Sequence, residues 1–207
     1  MPVSMEKQLE RRQQILASTR EMISEVGPKE INIRKLAERC GVSVPTLYNQ
    51  FNSKDELIYT AASEIYRLHL EKADSTCKST GLGRFLHILD SMDEMLKSDP
   101  RISRELVKVT PHRSESYRIG QRMHTQAVTE MKEQGDLVDW IDADYLGKRI
   151  YQTLRNVLIE WSQGRMDDKE VIVTRRTESM LMLLGVSTGK THDKVETLLR
   201  RELKKRQ

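Results

Sequence analysis

Hydrophobic residues recur along most of this chain at intervals of three and four, the spacing that places them on one face of an α-helix. No segment alternates apolar and polar residues as a half-buried strand would, and no internal repeat is present. The pattern therefore predicts an all-α protein. The first apolar stripe predicts a helix over residues 7–26 that ends at Gly27 and Pro28. Later stripes predict helices over 54–77, 82–97, 101–109, 114–134, 143–163, 168–184 and 191–206.

Residues 33–54 have the spacing of a helix-turn-helix motif. Ala37 is small where two helices must cross closely, Gly41 can adopt the positive φ of a three-residue turn, and Leu47 can return to bury against the first helix. Asn32 can cap that first helix. This segment therefore predicts a DNA-binding function.

The second helix of the motif would begin after Ser43, which can act as its N-cap, with Pro45 in its first turn. In such motifs this helix lies in the major groove, and its N-terminal residues meet the bases. Asn49 and Gln50 have amides that can read adenine, and Thr46 can contact a thymine methyl. A phosphate contact is equally open to all three. The residues expected to face DNA are Val44, Pro45, Thr46, Tyr48, Asn49 and Gln50.

Four segments of this region carry a family resemblance: Gly41-Val42-Ser43, Thr46-Leu47-Tyr48, Phe51, and Ser53-Lys54-Asp55-Glu56-Leu57. They resemble the DNA-binding domain of the TetR family of transcriptional regulators, over roughly residues 8–58. The resemblance implies a three-helix helix-turn-helix domain over residues 1–53 and a larger helical effector-binding and dimerisation domain over residues 54–207. Asn49 and Gln50 stand where many members carry a basic residue and a histidine, which leaves the operator sequence open.

The resemblance also implies roles for two residues and a mechanism. Tyr48, a phenol on the reading helix, and Lys54, an ammonium in the first turn of the next helix, would contact DNA phosphates. A half-buried core aromatic and an ordinary surface lysine are the competing interpretations. The protein would bind a palindromic double-stranded operator as a homodimer and act as a repressor, released when a small apolar effector enters the second domain. A helical protein-interaction adaptor without an effector response is the alternative function.

Charge is distributed unevenly along these 207 residues, whose net charge is +4. Residues 1–54 carry nine Lys and Arg against six Glu, and residues 190–207 carry seven against three acidic residues, so the segment between them is net negative. A basic N-terminal domain on an acidic body fits a DNA contact at one end of the molecule. The basic C-terminal stretch is interpreted as a solvated helix, with a DNA contact as the alternative.

Composition argues against membrane, secreted and enzymatic functions. No apolar run approaches the ~20 residues of a membrane span, no signal-peptide core is present, and Cys40 and Cys77 fit reduced thiols in the cytoplasm. The five histidines never share a helix face, and neither a Gly-rich phosphate loop nor a nucleophile elbow occurs. We expect no catalytic site, metal or cofactor, although a metal site assembled from distant residues is left open.

The helices predicted over 143–163 and 168–184 carry more apolar residues than one buried stripe needs. Such a hairpin is either buried deeply within one subunit or forms a four-helix seam with a second copy. The implied dimer favours the seam. The residues expected at this interface are Leu154, Leu158, Val171, Met180 and Leu184.

The chain contains ten methionines and few aromatic residues. Methionine fills irregular gaps in a core, and it also lines cavities that accept varied apolar guests, so both roles are open. We expect an enclosed apolar effector cavity that opens towards the helix predicted over 54–77. Its expected boundary residues are Met92, Met95, Met123, Tyr151 and Trp161.

Overall fold

The computed structural model describes residues 5–110 and 114–205, which form ten α-helices. Apart from one isolated bridge between Leu137 and Ser187, the described residues contain no β structure, so the all-α prediction is confirmed. Every predicted helix is present with its ends within two residues, and only the predicted end at Arg206 lies outside the described residues. The helices are α1 (Met5–Val26), α2 (Ile33–Arg39), α3 (Val44–Gln50), α4 (Lys54–Thr76), α5 (Gly81–Ser98), α6 (Pro100–Val109), α7 (Glu115–Glu133), α8 (Ala143–Ser162), α9 (Glu170–Leu184) and α10 (Gly189–Lys204).

Side-chain caps set the positions at which several helices begin. Ser53 Oγ accepts the backbone N–H of Glu56 at 3.0 Å at the start of α4, and Asp99 Oδ1 accepts the N–H of Ile102 at 2.9 Å at the start of α6. Each cap satisfies an N–H that the first helical turn leaves without a partner. The cap at Ser53 therefore makes Lys54 the first residue of α4.

Two hydrophobic clusters hold the helices together. The first joins α1, α2 and α3 to the start of α4, to α6 and to the end of α8, and it includes Ile15, Leu47, Leu106 and Trp161. The second lies in the body, between the rest of α4 and helices α5, α7, α8, α9 and α10. Because the first cluster extends across Ser53, the N-terminal helices share their core with the body. The division into two domains at that residue stays a prediction.

Polar contacts also join the N-terminal helices to the body. Arg20 of α1 forms an ion pair with Glu64 of α4, and Lys29 Nζ lies 3.0 Å from Glu105 Oε2 of α6. The guanidinium of Arg101, also in α6, donates to the last carbonyl of α1 at 3.2 Å. Exposed ion pairs contribute ~1 kcal/mol or less each, so the shared hydrophobic cluster supplies most of the attachment.

Two glycines allow α7 and α8 to pack closely. A Cβ built on Gly147 of α8 would lie 2.5 Å from the Cα of Thr125 in α7, far inside van der Waals contact. A Cβ on Gly120 of α7 would lie 2.7 Å from the ring of Tyr151. The absence of these Cβ atoms therefore lets α8 approach α7 and brings the Tyr151 ring against the α7 backbone.

Candidate DNA interface and effector cavity

The geometry of residues 32–53 is that of a helix-turn-helix. Asn32 Oδ1 accepts the N–H groups of Arg34 and Lys35 at the start of α2, at 2.9 and 3.2 Å. Gly41 has a φ of +63°, and a Cβ built there would meet nothing within 4 Å, so backbone conformation rather than space requires glycine. Leu47 is buried, as the motif requires.

The start of α3 combines its cap with a candidate DNA contact. Ser43 Oγ accepts the N–H of Thr46 at 3.3 Å and lies 2.8 Å from Thr46 Oγ1, so the two hydroxyls share a hydrogen bond. This bond leaves each hydroxyl oxygen with lone pairs, and one of the two hydroxyls still has its proton available. The first turn of α3 thus presents a pair of neighbouring hydroxyl groups.

The predicted DNA-facing residues differ in exposure. Pro45, Tyr48 and Asn49 are exposed, and Tyr48 retains 44% of its accessible surface although it is a large aromatic residue. Thr46, Gln50 and Lys54 are half-buried. Val44 is also half-buried and packs against the first hydrophobic cluster, so only part of its side chain faces outward. Their roles as DNA contacts stay predictions.

An arginine in α1, Arg12, supports the reading helix and was not predicted from the sequence. Its guanidinium donates to the backbone carbonyl of Gln50, and its carbon Cζ lies 4.0 Å from the centroid of the Phe51 ring. The cation therefore ties α1 to the C-terminal end of α3. Its position 38 residues before Gln50 gives no local signal of this contact.

A second arginine, Arg39, fastens α2 to α1. Its guanidinium donates to Glu25 at 2.8 and 2.9 Å and to Glu21 at 3.0 Å. The hydrogen bond from Arg39 lowers the pKa of the Glu25 carboxyl below its ordinary value. This cluster is exposed, so solvent weakens it and its role is to orient α2.

A narrow cavity lies in the body, where α4, α5, α7, α8 and α9 meet. Its cavity volume is only about 30 Å³, so a ligand must displace the walls to enter. Its apolar lining includes Leu70, Ile88 and Met92, and its polar lining is mostly buried. The complete lining consists of Tyr66, Leu70, Ile88, Met92, Thr110, Ser114, Ser116, Tyr117, His124, Tyr151, Leu154, Arg155, Leu158 and Arg175.

The structure places the predicted effector-pocket residues in different surroundings, and their role in binding an effector stays a prediction. Met92 and Tyr151 line it, whereas Met95, Met123 and Trp161 do not. Met123 is buried in the second hydrophobic cluster, and Met95 packs against the first. Trp161 is buried in the first cluster, and its indole N–H donates to Asp168 at 2.8 Å. Helical periodicity identified these side chains as inward-facing but could not identify what each one faces.

Aromatic rings form one wall of the cavity. The His124 and Tyr151 ring centroids lie 5.3 Å apart, and those of Tyr117 and Tyr151 lie 5.1 Å apart. His124 Nδ1 lies 2.8 Å from the carbonyl oxygen of Gly120, which can only accept, so Nδ1 carries the proton. Burial, with a smaller contribution from Arg175, lowers the pKa of His124 to about 4. The ring is therefore neutral at pH 7, and its buried Nε2 has no protein hydrogen-bond partner among the described residues.

A buried charge network lies at the far side of the cavity. Asp93 of α5 accepts hydrogen bonds from Arg175 and, at 2.6 Å, from Arg176, both on α9. Arg176 also pairs with Asp90, which is exposed. Two guanidiniums thus share one buried carboxylate, which fixes α9 against α5.

The α8–α9 hairpin buries most of the residues predicted at a dimer interface. Leu154 and Leu158 line the cavity, Val171 and Met180 are buried in the clusters, and Leu184 is half-buried. Helix α8 carries extra apolar residues because α6, α7 and α9 all pack against it. On the same hairpin Tyr145 and Leu181 remain 61% and 49% exposed, and these are the large apolar side chains that a second copy would reach first.

Residues 5–110 and 114–205 contain no group of three His, Cys, Asp or Glu side chains close enough to hold a metal ion. Within the same ranges, no helix is both long and apolar enough to cross a membrane.

Residues 15–59 match the sequence model of a family described as bacterial regulatory proteins, tetR family. Among curated proteins, the HTH-type transcriptional repressor KstR of Rhodococcus jostii (strain RHA1) is 31% identical over 110 residues. That alignment covers 51% of this chain and 50% of KstR, so the likeness spans about half of each protein.

Solved structures share the fold over a longer stretch. A TetR-family transcriptional regulator from Pectobacterium atrosepticum superposes with a TM-score of 0.72 at 18% identity, covering 90% of this chain and 99% of that one. FadR from Bacillus subtilis, solved in complex with stearoyl-CoA, superposes with a TM-score of 0.57 at 18% identity, covering 83% and 97%. Together with the helix-turn-helix geometry, the match shows that residues 15–59 are similar to the segment described by the tetR family model, and the solved structures show that the fold is shared.

Proposed function

We propose that this chain is a homodimeric, sequence-specific DNA-binding repressor that a small molecule releases from its operator. The observation that carries the proposal is the capped helix-turn-helix of residues 32–53, inside the segment that matches the tetR family. The likeness to the repressor KstR lends support to repression rather than activation. As a regulator of DNA, the protein would act in the cytoplasm.

In this proposal α3 lies in the major groove. The exposed Asn49 reads a base edge with its amide, and the hydroxyl pair of Ser43 and Thr46 contacts a base or a phosphate. Tyr48 and Lys54 bind backbone phosphates, and Lys54 is aided by the free N–H groups at the start of α4. Arg12 and Arg39 hold α3 and α2 in position without contacting DNA.

A dimer is needed because α3 is short. Seven residues span only ~10 Å of helix, enough for the base edges of a few pairs. Two copies related by a two-fold axis read half-sites ~34 Å apart and make the operator palindromic. We propose that the exposed face of the α8–α9 hairpin, with Tyr145 and Leu181, forms the dimer contact.

The cavity is connected to the reading helix through two helices. Tyr66 and Leu70 of α4 line it, and the same helix begins at Lys54, ~18 Å away along its axis. Thr110, at the end of α6, also lines it, while Arg101 and Glu105 of α6 contact α1 and the residues just after it. A molecule that widens the cavity displaces α4 and α6. This displacement changes the distance between the α3 helices of the two subunits.

The experiment is selection of DNA fragments by the purified protein from a random pool, followed by gel shift and light scattering on the selected sequence. We expect a palindromic site bound by a dimer, with affinity that falls steeply as salt rises. A chain that selects no sequence would instead be an adaptor. Leu181→Arg should produce monomers and abolish operator binding. Leu68→Arg on α4, where Leu68 is 44% exposed, is the matched control and should not.

A further inference from the structure

The cavity contains a buried cation without a counter-ion. Arg155 of α8 is 7% exposed, and within residues 5–110 and 114–205 its guanidinium makes no hydrogen bond and no ion pair. Its Nε is fully buried without a partner. The other described guanidinium in the lining, that of Arg175, forms an ion pair with Asp93, although its Nε also lacks a hydrogen-bond partner. Arg155 is therefore the one arginine of the described lining without a carboxylate partner.

The charges around Arg155 leave the site electropositive. Arg175 and Arg176 together have one buried carboxylate, Asp93, and an exposed one, Asp90. The described residues of the cavity lining include no carboxylate but include both Arg155 and Arg175. The field of Arg155 reaches two phenols. Burial raises the pKa of Tyr66 to about 12 and also raises that of Tyr151, and in both cases Arg155 opposes the rise.

Besides Nε of Arg175, two hydrogen-bond donors of the described cavity lining lack an acceptor. The Tyr66 hydroxyl is buried without a partner, as is Nε of Arg155, and both residues line the cavity. A buried donor without an acceptor is unfavourable, and more so when the donor is charged, so this arrangement is costly in the empty protein. A negatively charged acceptor is the group that these donors lack.

The rest of the wall is apolar. Leu70, Ile88 and Met92 line one part of the cavity, and Leu154 and Leu158 flank Arg155 on α8 at spacings of one and three residues. On its other side Arg155 borders a groove between α6 and α8 that is open to solvent. The groove gives a charged group a route to the guanidinium without crossing the apolar part.

We propose that the cavity binds an apolar monocarboxylate, with its carboxylate on Arg155 and the Tyr66 hydroxyl and its hydrocarbon part against Leu70, Ile88 and Met92. This inference rests on the proposed function only in taking the cavity as the effector site. Arg155 is the specificity-determining residue, because it selects a charged acid over a neutral molecule of the same shape. The neutral His124 is left to accept a hydroxyl or another donor from the ligand.

The test compares acids with their neutral esters on the full chain. Decanoate and methyl decanoate, below micellar concentration, form one pair, and 4-phenylbutyrate and its methyl ester form the second. Binding is measured by calorimetry, and release of the selected operator by fluorescence anisotropy. The variants are Arg155→Met, which keeps the length and removes the charge, and Arg155→Lys, which keeps the charge. Arg149→Met, at an exposed arginine on the same helix, is the matched control.

We expect at least one acid to bind the wild type about tenfold or more tightly than its ester. Arg155→Met should remove that preference, Arg155→Lys should keep part of it, and Arg149→Met should leave it unchanged. In the absence of ligand, Arg155→Met should melt at the same temperature as the wild type or higher, because it removes an unpaired buried charge.

Equal binding of acid and ester by the wild type, or an acid preference that survives in Arg155→Met, would overturn the inference while leaving the cavity as an effector site. Failure of all four probes to bind a protein that still binds its operator would overturn it as well. Acid binding that depends on Arg155 but does not affect operator affinity would support the anion site and overturn the proposed release mechanism.

Discussion

The helix-turn-helix and the cavity of this protein are built from contacts of different range. In residues 32–53 the decisive groups are neighbours in sequence: Asn32 and Ser43 cap helices that begin one residue later, and Gly41 turns the chain between them. In the cavity the decisive groups come from five helices, and Tyr66, His124 and Arg155 are separated by tens of residues. Local chemistry thus shapes most of the candidate DNA interface, whereas tertiary packing shapes the cavity.

The largest effect is expected for the pH dependence of stability, to which the buried His124 of the cavity contributes. The unfolded His124 side chain titrates near its ordinary pKa of 6.5, and the folded one near 4. The unfolded state therefore binds the extra proton first, and stability is lost as pH falls from about 6.5 to 4. The loss from His124 should be roughly 3 kcal/mol. Urea unfolding of the wild type and His124→Gln from pH 7 to pH 4 measures the difference.

Carboxylates also titrate in that range, so the quantity of interest is the difference between the two proteins. His192→Gln, at a half-buried position on α10, should follow the wild type. Parallel curves for the wild type and His124→Gln would mean that the buried imidazole is reached by water.

A smaller effect is expected at the crossing of α7 and α8. Gly147→Ala places a Cβ against the backbone of Thr125, which cannot rotate away, and should lower the free energy of unfolding by ~1–3 kcal/mol. Gly185→Ala, where a Cβ would meet nothing within 4 Å, is the control and should be neutral or slightly stabilising. Thermal melts of both variants measure this, and equal melting temperatures would show that the helices move apart easily.

A single substitution in the helix-turn-helix should lower the free energy of unfolding by a smaller amount. Ser43→Ala removes the N-cap of α3 and should destabilise the protein by ~1 kcal/mol. Operator affinity should fall as well, because the same change removes the partner of the Thr46 hydroxyl. Ser43→Asn, which can also cap, should recover the stability without necessarily recovering the affinity, and gel shifts beside melts separate the two effects. A loss of stability that Ser43→Asn does not recover would count against the cap.

The smallest expected effect distinguishes two DNA contacts. Lys54→Ala should weaken binding to all sequences about equally and reduce the slope of log affinity against log salt by roughly one unit. Asn49→Ala should instead relax preference at one base pair and leave the slope unchanged. Binding to the selected operator and to single-base variants, across a salt series, measures both. The same uniform loss in both variants would make Asn49 a phosphate contact.

The sequence-based predictions were accurate where the contacting residues are close in sequence. The caps at Asn32 and Ser43 could be predicted because donor and acceptor lie within three residues. Met95, Met123 and Trp161 were expected at the cavity because their helical positions are apolar, and periodicity does identify a buried face. It does not identify which neighbour covers that face, and these three side chains pack into the clusters instead.

Arg155 is a second example of a residue whose surroundings could not be predicted from its position on the helix. Arg155 is a charged residue beside leucines on α8, and a charged residue is usually expected on a solvent-exposed face. The packing of α4, α6 and α7 around it buries it instead. Leu154 and Leu158 were expected at a seam with a second copy and are covered within one chain. In each case the deciding neighbour is contributed by another helix, and one sequence without its fold does not contain that information.

The hydrophobic cluster that extends across Ser53 has a consequence for protein engineering. Helices α1, α2 and α3 share one hydrophobic cluster with Leu106 and Trp161 of the body. They therefore cannot be transferred to another protein as an independent unit. Fusing residues 1–53 to the body of a relative would divide this cluster and destabilise the protein through the voids that mismatched cores leave. New operator preferences in this scaffold are better introduced by exchanging outward side chains of α3, such as Asn49, than by building chimaeras.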